Sequence, residues 1–258
     1  MLNTGCDNSN NSNSFNQVFP FATESVSGYL SSLDLDGKDL LTVGSSCDQA
    51  FNALVLGARN ITIFDINPYV YQYYKIKKNL ILNNSRKDLY RKVLEVSNIP
   101  FSKDLHSINS VITMNNYLQS DENYELLCKR LKEDSIEFVE GDIFNIGNLL
   151  DNKMYDRIVL SNILQYLDFF AGSGDCCKLL RDSFDSWKEH LNVDGIIQLL
   201  YLYGFTPDDL KNNNHPIFTY NLTNVVNALS GNSLNIEWIP TFQKNTLDDA
   251  IVTYTKKR

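Results

Sequence analysis

The chain has 258 residues, 43% hydrophobic and 21% charged, with 23 basic residues against 31 acidic ones and a net charge of −8. This is the make-up of a soluble globular protein long enough for one large domain, and its acidity argues against nucleic acid as a partner. No apolar run reaches membrane-spanning length, and the start lacks the basic-then-apolar order of a secretory leader. Five cysteines without C-x-x-C spacing, and three scattered histidines (His106, His190, His215), predict neither a disulfide framework nor a metal site, and a cytoplasmic home.

Residues 1–16 are a low-complexity Asn/Ser tract, expected to be a disordered tail; residues 17–258 are expected to form the domain. Ser25–Leu33 has helical spacing at Val26, Tyr29, Leu30 and Leu33, with Thr23 offering a cap and Glu24 a first-turn acid. Leu40–Val43 is a short apolar run suited to a buried parallel strand. Gly44-Ser45-Ser46-Cys47-Asp48 makes a turn. Gln49–Leu56 is helical in composition, places Phe51, Leu54 and Val55 toward a sheet, and stops at Gly57. Ile61–Phe64 is a second strand ending on Asp65, which completes a β-α-β unit with a right-handed crossover.

That unit implies a nucleoside site. Open α/β sheets bind ligands beyond the carboxyl ends of their strands. Gly44 permits close approach of a backbone to a ligand, the next helix offers unpaired N–H groups, and Asp65 sits where a carboxylate accepts hydrogen bonds from a ribose diol. The turn lacks the later glycines of G-x-G-x-x-G, and Asp48 at the helix start repels a pyrophosphate. An acid there suits a ligand with a positive centre and an amino group, such as S-adenosylmethionine. The competing reading is structural: Gly44 makes a turn and Asp48 caps a helix.

Farther along, Asn67-Pro68 starts a helix over Tyr69–Leu82, with Val70, Tyr73, Tyr74, Leu80 and Ile81 on its apolar side. Lys75, Lys77, Lys78, Arg86, Lys87, Arg91 and Lys92 face one acid, Asp88; a solvated helix face and a surface for an anionic partner are both open. Residues 84–131 read as a helical insertion, with helices at Leu89–Val96 and Tyr124–Leu131, and a segment this long is a candidate lid that chooses the acceptor. Strands follow at Ile136–Glu140, Tyr155–Leu160 and Gly195–Tyr201, helices at Ser183–Leu191 and Thr219–Leu229, and a late strand pair at Leu234–Ile239 and Ala250–Tyr254. The tip of the fourth strand, Ser161-Asn162-Ile163-Leu164-Gln165-Tyr166, lies where a reacting group would sit and lacks the Pro-Pro of enzymes that methylate base amines.

The run TVGSSCDQAFNALVLGARNITIFDINPYVYQYYKIKKNLI, with PFATESVSGYL before it and YDRIVLSNILQYL after it, resembles class I S-adenosylmethionine-dependent methyltransferases. More narrowly it is similar to the methyltransferase-like family that includes diacylglycerol 3-amino-3-carboxypropyltransferases. Cys47 stands where many relatives carry glycine. The resemblance implies that the segment around Thr23 crosses the cofactor cleft, and that Asp142 and Ile143 bond and cover an adenine; a plain cap of the next turn is the other reading of Asp142.

The expectation is thus an α/β, Rossmann-like, doubly wound seven-stranded sheet with a helical insertion after the second strand. The expected cofactor is S-adenosylmethionine, held by Gly44, Ser45, Ser46, Asp48, Asp65, Ile66, Asp142, Ile143, Ser161 and Asn162. Asn162 and Tyr166 are the catalytic candidates, and the expected reaction is methyl transfer to a small molecule. Three alternatives stay open: 3-amino-3-carboxypropyl transfer from the same cofactor; a nicotinamide oxidoreductase, which the missing later glycines disfavour; and a non-catalytic nucleoside-binding or interaction protein.

Overall fold

The computed structural model describes residues 18–97, 107–133, 135–172, 174–203, 222–239 and 249–258; the expected tail lies outside them. Strands β1 (Asp39–Val43), β2 (Asn60–Asp65), β3 (Ile136–Glu140), β4 (Tyr155–Ser161), β5 (Leu191–Tyr203), β6 (Leu234–Ile239) and β7 (Asp249–Thr255) lie in one sheet in the order β3-β2-β1-β4-β5-β7-β6. The pairs β2–β3, β1–β4 and β4–β5 are parallel, and β7 is antiparallel to both β5 and β6. The strand order turns back between β1 and β4, where sheets of this kind bind ligands. The expected seven-stranded sheet and its late antiparallel pair are both present.

Two compact units make up the chain. The first holds the described residues up to Lys38 together with Val43–Gly141. Its helices are α1 (Val26–Leu30), α2 (Asp48–Val55), α3 (Tyr69–Asn83), α4 (Arg86–Val96), α5 (Ile108–Met114), α6 (Asn116–Gln119) and α7 (Asp121–Arg130). β2 is buried over Ile61–Phe64, and α3 covers its neighbour through Tyr71 and Tyr74, whose rings lie 4.9 and 4.8 Å from that of Phe138. The insertion is helical over its described residues and adds no strand there. It is tied down: α6 and α7 pack on α2, and α5 on α1. Ser85, Ser107 and Ser120 cap α4, α5 and α7 by accepting backbone N–H groups, which is why those three boundaries fall at serines.

α1 is shorter than its apolar spacing suggests. Its cap is Ser25, which makes no side-chain cap bond, so the expected cap at Thr23 is absent. Leu33 is buried beyond the end of the helix; its spacing reported burial rather than helix.

The second unit holds Asp39–Thr42 and the described residues from Asp142 on. It contains a 3-10 turn at Ile143–Asn148, another at Leu164–Tyr166, and helices α8 (Leu167–Ala171), α9 (Cys176–Glu189) and α10 (Leu222–Ala228). α9 starts seven residues before the expected Ser183, because Asp175 caps it by accepting from the Lys178 amide. Its buried face carries Leu180, Phe184 and Trp187; Phe184 meets Tyr254 edge-on at 5.4 Å, and the Trp187 indole donates to the Ile143 carbonyl at 3.0 Å. β5 begins before the expected Gly195. Asp194 takes φ 63 and donates its amide to the Lys256 carbonyl, a local kink that lets the strand continue back to Leu191.

Candidate functional site: the glycine turn and the strand tips

In the first unit, β1 ends in a tight turn. The Gly44 amide donates to the Phe64 carbonyl at 2.8 Å, and the Cys47 amide reaches the Gly44 carbonyl. A Cβ on Gly44 would lie 2.5 Å from Val70 Cγ1 and 2.9 Å from Asp65 Oδ2, so no other residue fits without displacing them. Ser45 and Cys47 hold φ 43 and 64, the left-handed region that glycine favours. Cys47 keeps that geometry with its thiol fully buried and burial pushing its pKa up.

This turn brings Gly44, Ser45 and Asp65 together. Asp65 Oδ2 accepts the Ser45 amide at 2.8 Å, and Oδ1 accepts the Asn67 amide at 2.8 Å. A carboxylate offers about four acceptor positions, so Asp65 keeps acceptor capacity for a ribose hydroxyl. Burial holds the Asp65 carboxyl above its ordinary range, opposed by the amides of Asn67, Ser45 and Ile66. Beside it, Ile66 and Tyr69 leave apolar surface exposed. Asn67 Oδ1 accepts the Tyr69 amide at 2.9 Å, fixing the turn that follows the acid.

Asp48 departs from its expected role. Its carboxylate is fully buried. Oδ1 accepts Lys77 Nζ and the Tyr117 hydroxyl, both at 2.7 Å; Oδ2 accepts the Ala22 amide at 2.6 Å and the Ser46 hydroxyl at 3.0 Å. Those donors fill its acceptor positions, leaving none for a ligand's amino group. Ser46 goes the same way, with its hydroxyl on Asp48 and its carbonyl on Lys77 at 3.0 Å.

Lys77 is the residue that sequence reasoning missed. It reads as one of a basic run but is fully buried, donating to Pro20 O, Ser46 O and Asp48 Oδ1. The signal was its position: Val70, Tyr73, Tyr74, Lys77 and Ile81 share the buried face of α3. Elsewhere in that run Arg86 pairs with Asp121, while Arg91 and Lys92 both pair with Glu95, and Lys75 lies over the Tyr71 ring. Four of the seven cations of the run, Lys77, Arg86, Arg91 and Lys92, thus pair with acids of the chain.

In the second unit, Asp142 caps the 3-10 turn, Oδ1 accepting the Phe144 amide at 2.9 Å and Oδ2 the Asn145 side chain at 3.1 Å. Burial raises its pKa against those bonds. Ile143 is buried. Ser161 ends β4 buried, and Asn162 follows in the left-handed region at φ 57, a conformation Asn tolerates and that recurs at functional turns. Tyr166 and Phe169 are exposed, while Leu164 and Leu167 turn inward. Among the described residues no cluster of His, Cys, Asp and Glu is arranged to hold a metal ion, and no helix is long and apolar enough to cross a membrane.

No family model and no curated protein matches the chain. Solved structures do. The N-methyltransferase NodS of Bradyrhizobium japonicum, in complex with S-adenosyl-L-homocysteine, superposes with a TM-score of 0.50 at 14% identity over 92% of this chain and 85% of that one. Magnesium protoporphyrin IX methyltransferase of Synechocystis gives 0.46 at 11% over 90% and 80%, and an rRNA methylase of Streptococcus thermophilus 0.42 at 9% over 87% and 90%. With the strand order of its sheet, the likeness to NodS shows that this chain has a Rossmann-like α/β fold.

Proposed function

We propose that the chain binds S-adenosylmethionine and transfers a methyl group from it to a small-molecule acceptor. The observation that supports this most is the Asp65 carboxylate, locked to the Ser45 amide 2.8 Å away by a glycine turn that admits no side chain at Gly44. The ligands named with the structural neighbours, S-adenosyl-L-homocysteine for NodS among them, support the same reading. S-adenosylmethionine supplies an electrophilic carbon on a sulfonium, so this chain's own residues need only bind, orient and exclude water.

On this reading Asp65 takes the ribose hydroxyls, Ile66 covers an adenine face, and the turn at Gly44 and Ser45 lies against the ligand through backbone. Asp142 and Ile143 are proposed at the adenine, through acceptor capacity that the cap leaves on the carboxylate. Ser161, Asn162 and Tyr166, at and after the tip of β4, are proposed to orient the acceptor. Residues 84–131 are proposed as the element that selects it, as an anchored wall. The ion pairs of Lys77, Arg86, Arg91 and Lys92 favour a small acceptor over a nucleic acid or an anionic surface, and a cytoplasmic setting fits that chemistry.

Aminocarboxypropyl transfer from the same cofactor is the second reading, favoured by the likeness of the TVGSSCDQ run to the family that includes those transferases. Incubating the protein with S-adenosylmethionine and cell extract, then weighing the nucleoside product, separates the two. S-adenosylhomocysteine is the expected product. Methylthioadenosine above a no-enzyme control replaces methyl transfer by the second reading, and neither product with binding intact indicates a non-catalytic nucleoside-binding protein.

A further inference from the structure

We infer that Gln49 is a cofactor-binding residue, one that holds the zwitterionic amino-acid end of an S-adenosyl ligand. The inference rests on the function proposed above and assigns the contact that Asp48 cannot make. Gln49 is 1% exposed, and its side-chain oxygen has no hydrogen-bond partner among the described residues. A buried amide oxygen without a partner is destabilising, and a ligand would complete it.

Gln49 is the second residue of α2, an eight-residue helix. Side chains lean toward the start of their helix, so the first turn is where a ligand would meet the Gln49 amide. There the Phe51 amide is spent on the Cys47 carbonyl at 3.1 Å, and the Asp48 amide reaches Ser46 Oγ at 3.4 Å. The backbone N–H groups of Gln49 and Ala50 find no acceptor among the described residues. Lys77 neutralises Asp48 at 2.7 Å, so the negative side chain at the helix start is cancelled and the partial positive charge of that end remains. One acceptor oxygen beside unpaired N–H donors, with no net side-chain charge, complements an ammonium and a carboxylate on one carbon. A plain anion would leave the oxygen unmatched.

The test compares two ligands that share the adenosine moiety, S-adenosylhomocysteine and methylthioadenosine, which lacks the amino-acid end. Gln49→Met keeps the length of the side chain and removes its polar atoms. It is expected to weaken S-adenosylhomocysteine by about tenfold or more, the value of a hydrogen bond to a charged group, while leaving methylthioadenosine unchanged. The melting temperature of the free protein is expected to stay level or rise, because an unmatched buried amide is removed. Gln49→Glu, a second variant that keeps the shape, is expected to show the same selective loss by repelling the carboxylate. Wild type binding both ligands, with the two variants leaving their affinity ratio unchanged, overturns the inference and leaves the proposed function standing. Wild type binding neither ligand removes the proposed function and the inference together.

Discussion

Lys77 Nζ lies 2.7 Å from Asp48 Oδ1 with both side chains fully buried, and the same amine reaches the carbonyls of Pro20 and Ser46. One cation thus ties three segments: the chain before α1, the glycine turn and the start of α2. Tyr117, from the insertion, closes the network on the same carboxylate oxygen at 2.7 Å. The turn holds its shape because this cluster spends its donors internally.

Removing one partner of a buried pair strands the other charge. Lys77→Met is expected to destabilise the protein by about 3–5 kcal/mol. Lys78→Met, one residue on and only partly buried, is expected to change stability by no more than about 0.5 kcal/mol. Urea unfolding of the two variants checks this; equal small losses would contradict the clamp.

Gly44→Ala places a Cβ 2.5 Å from Val70 Cγ1 and 2.9 Å from Asp65 Oδ2. Both must shift, at a cost of about 1–3 kcal/mol, and the Asp65 carboxylate moves with them. Thermal unfolding is expected to show the loss, and calorimetry a weaker S-adenosylhomocysteine affinity. A variant with wild-type stability and affinity would mean the turn tolerates a side chain.

Cys47 is fully buried, whereas Cys128, Cys176 and Cys177 are partly exposed; burial raises the pKa of Cys47 and of Cys128. A thiolate-selective reagent on the native protein, followed by peptide mapping, is expected to label those three and leave Cys47 unmodified until unfolding. Labelling of Cys47 at the rate of Cys177 would contradict the packing of the turn.

The raised pKa of Asp65 gives stability and binding opposite pH trends. Below the ordinary value of 3.8 the group is protonated in both folded and unfolded chains, and its stabilising contribution is fully present. As pH rises through the raised folded value that contribution is lost, because the unfolded chain releases the proton first. The stability of wild type relative to Asp65→Asn is therefore expected to fall as pH rises from 3.8 through that window. S-adenosylhomocysteine affinity should rise over the same window, since the carboxylate accepts both hydroxyls. Parallel trends would contradict the ribose role.

The sequence carried the sheet because each strand is a short apolar run bounded by turn residues, and Asp65 because it ends such a run. Asp48 was legible as a helix-start acid but not as a saturated one. A carboxylate's partners come from Ala22, Ser46, Lys77 and Tyr117, and nothing in the spacing of those four positions joins them. Lys77 reads as solvated by its charge and as buried by its place on α3; burial won because three acceptors meet its amine. α8 and the 3-10 turn at Leu164–Tyr166 went unread, since three to five residues are too few to show a period.

Calorimetric titration with S-adenosylhomocysteine reads the ribose contact of Asp65 itself. Wild type is expected to bind it and to give no heat with NADH, and Asp65→Ala to weaken binding by about 1–3 kcal/mol through the lost bonds to a charged acceptor. Unchanged affinity in Asp65→Ala, or a wild type that binds NADH and not S-adenosylhomocysteine, would contradict it.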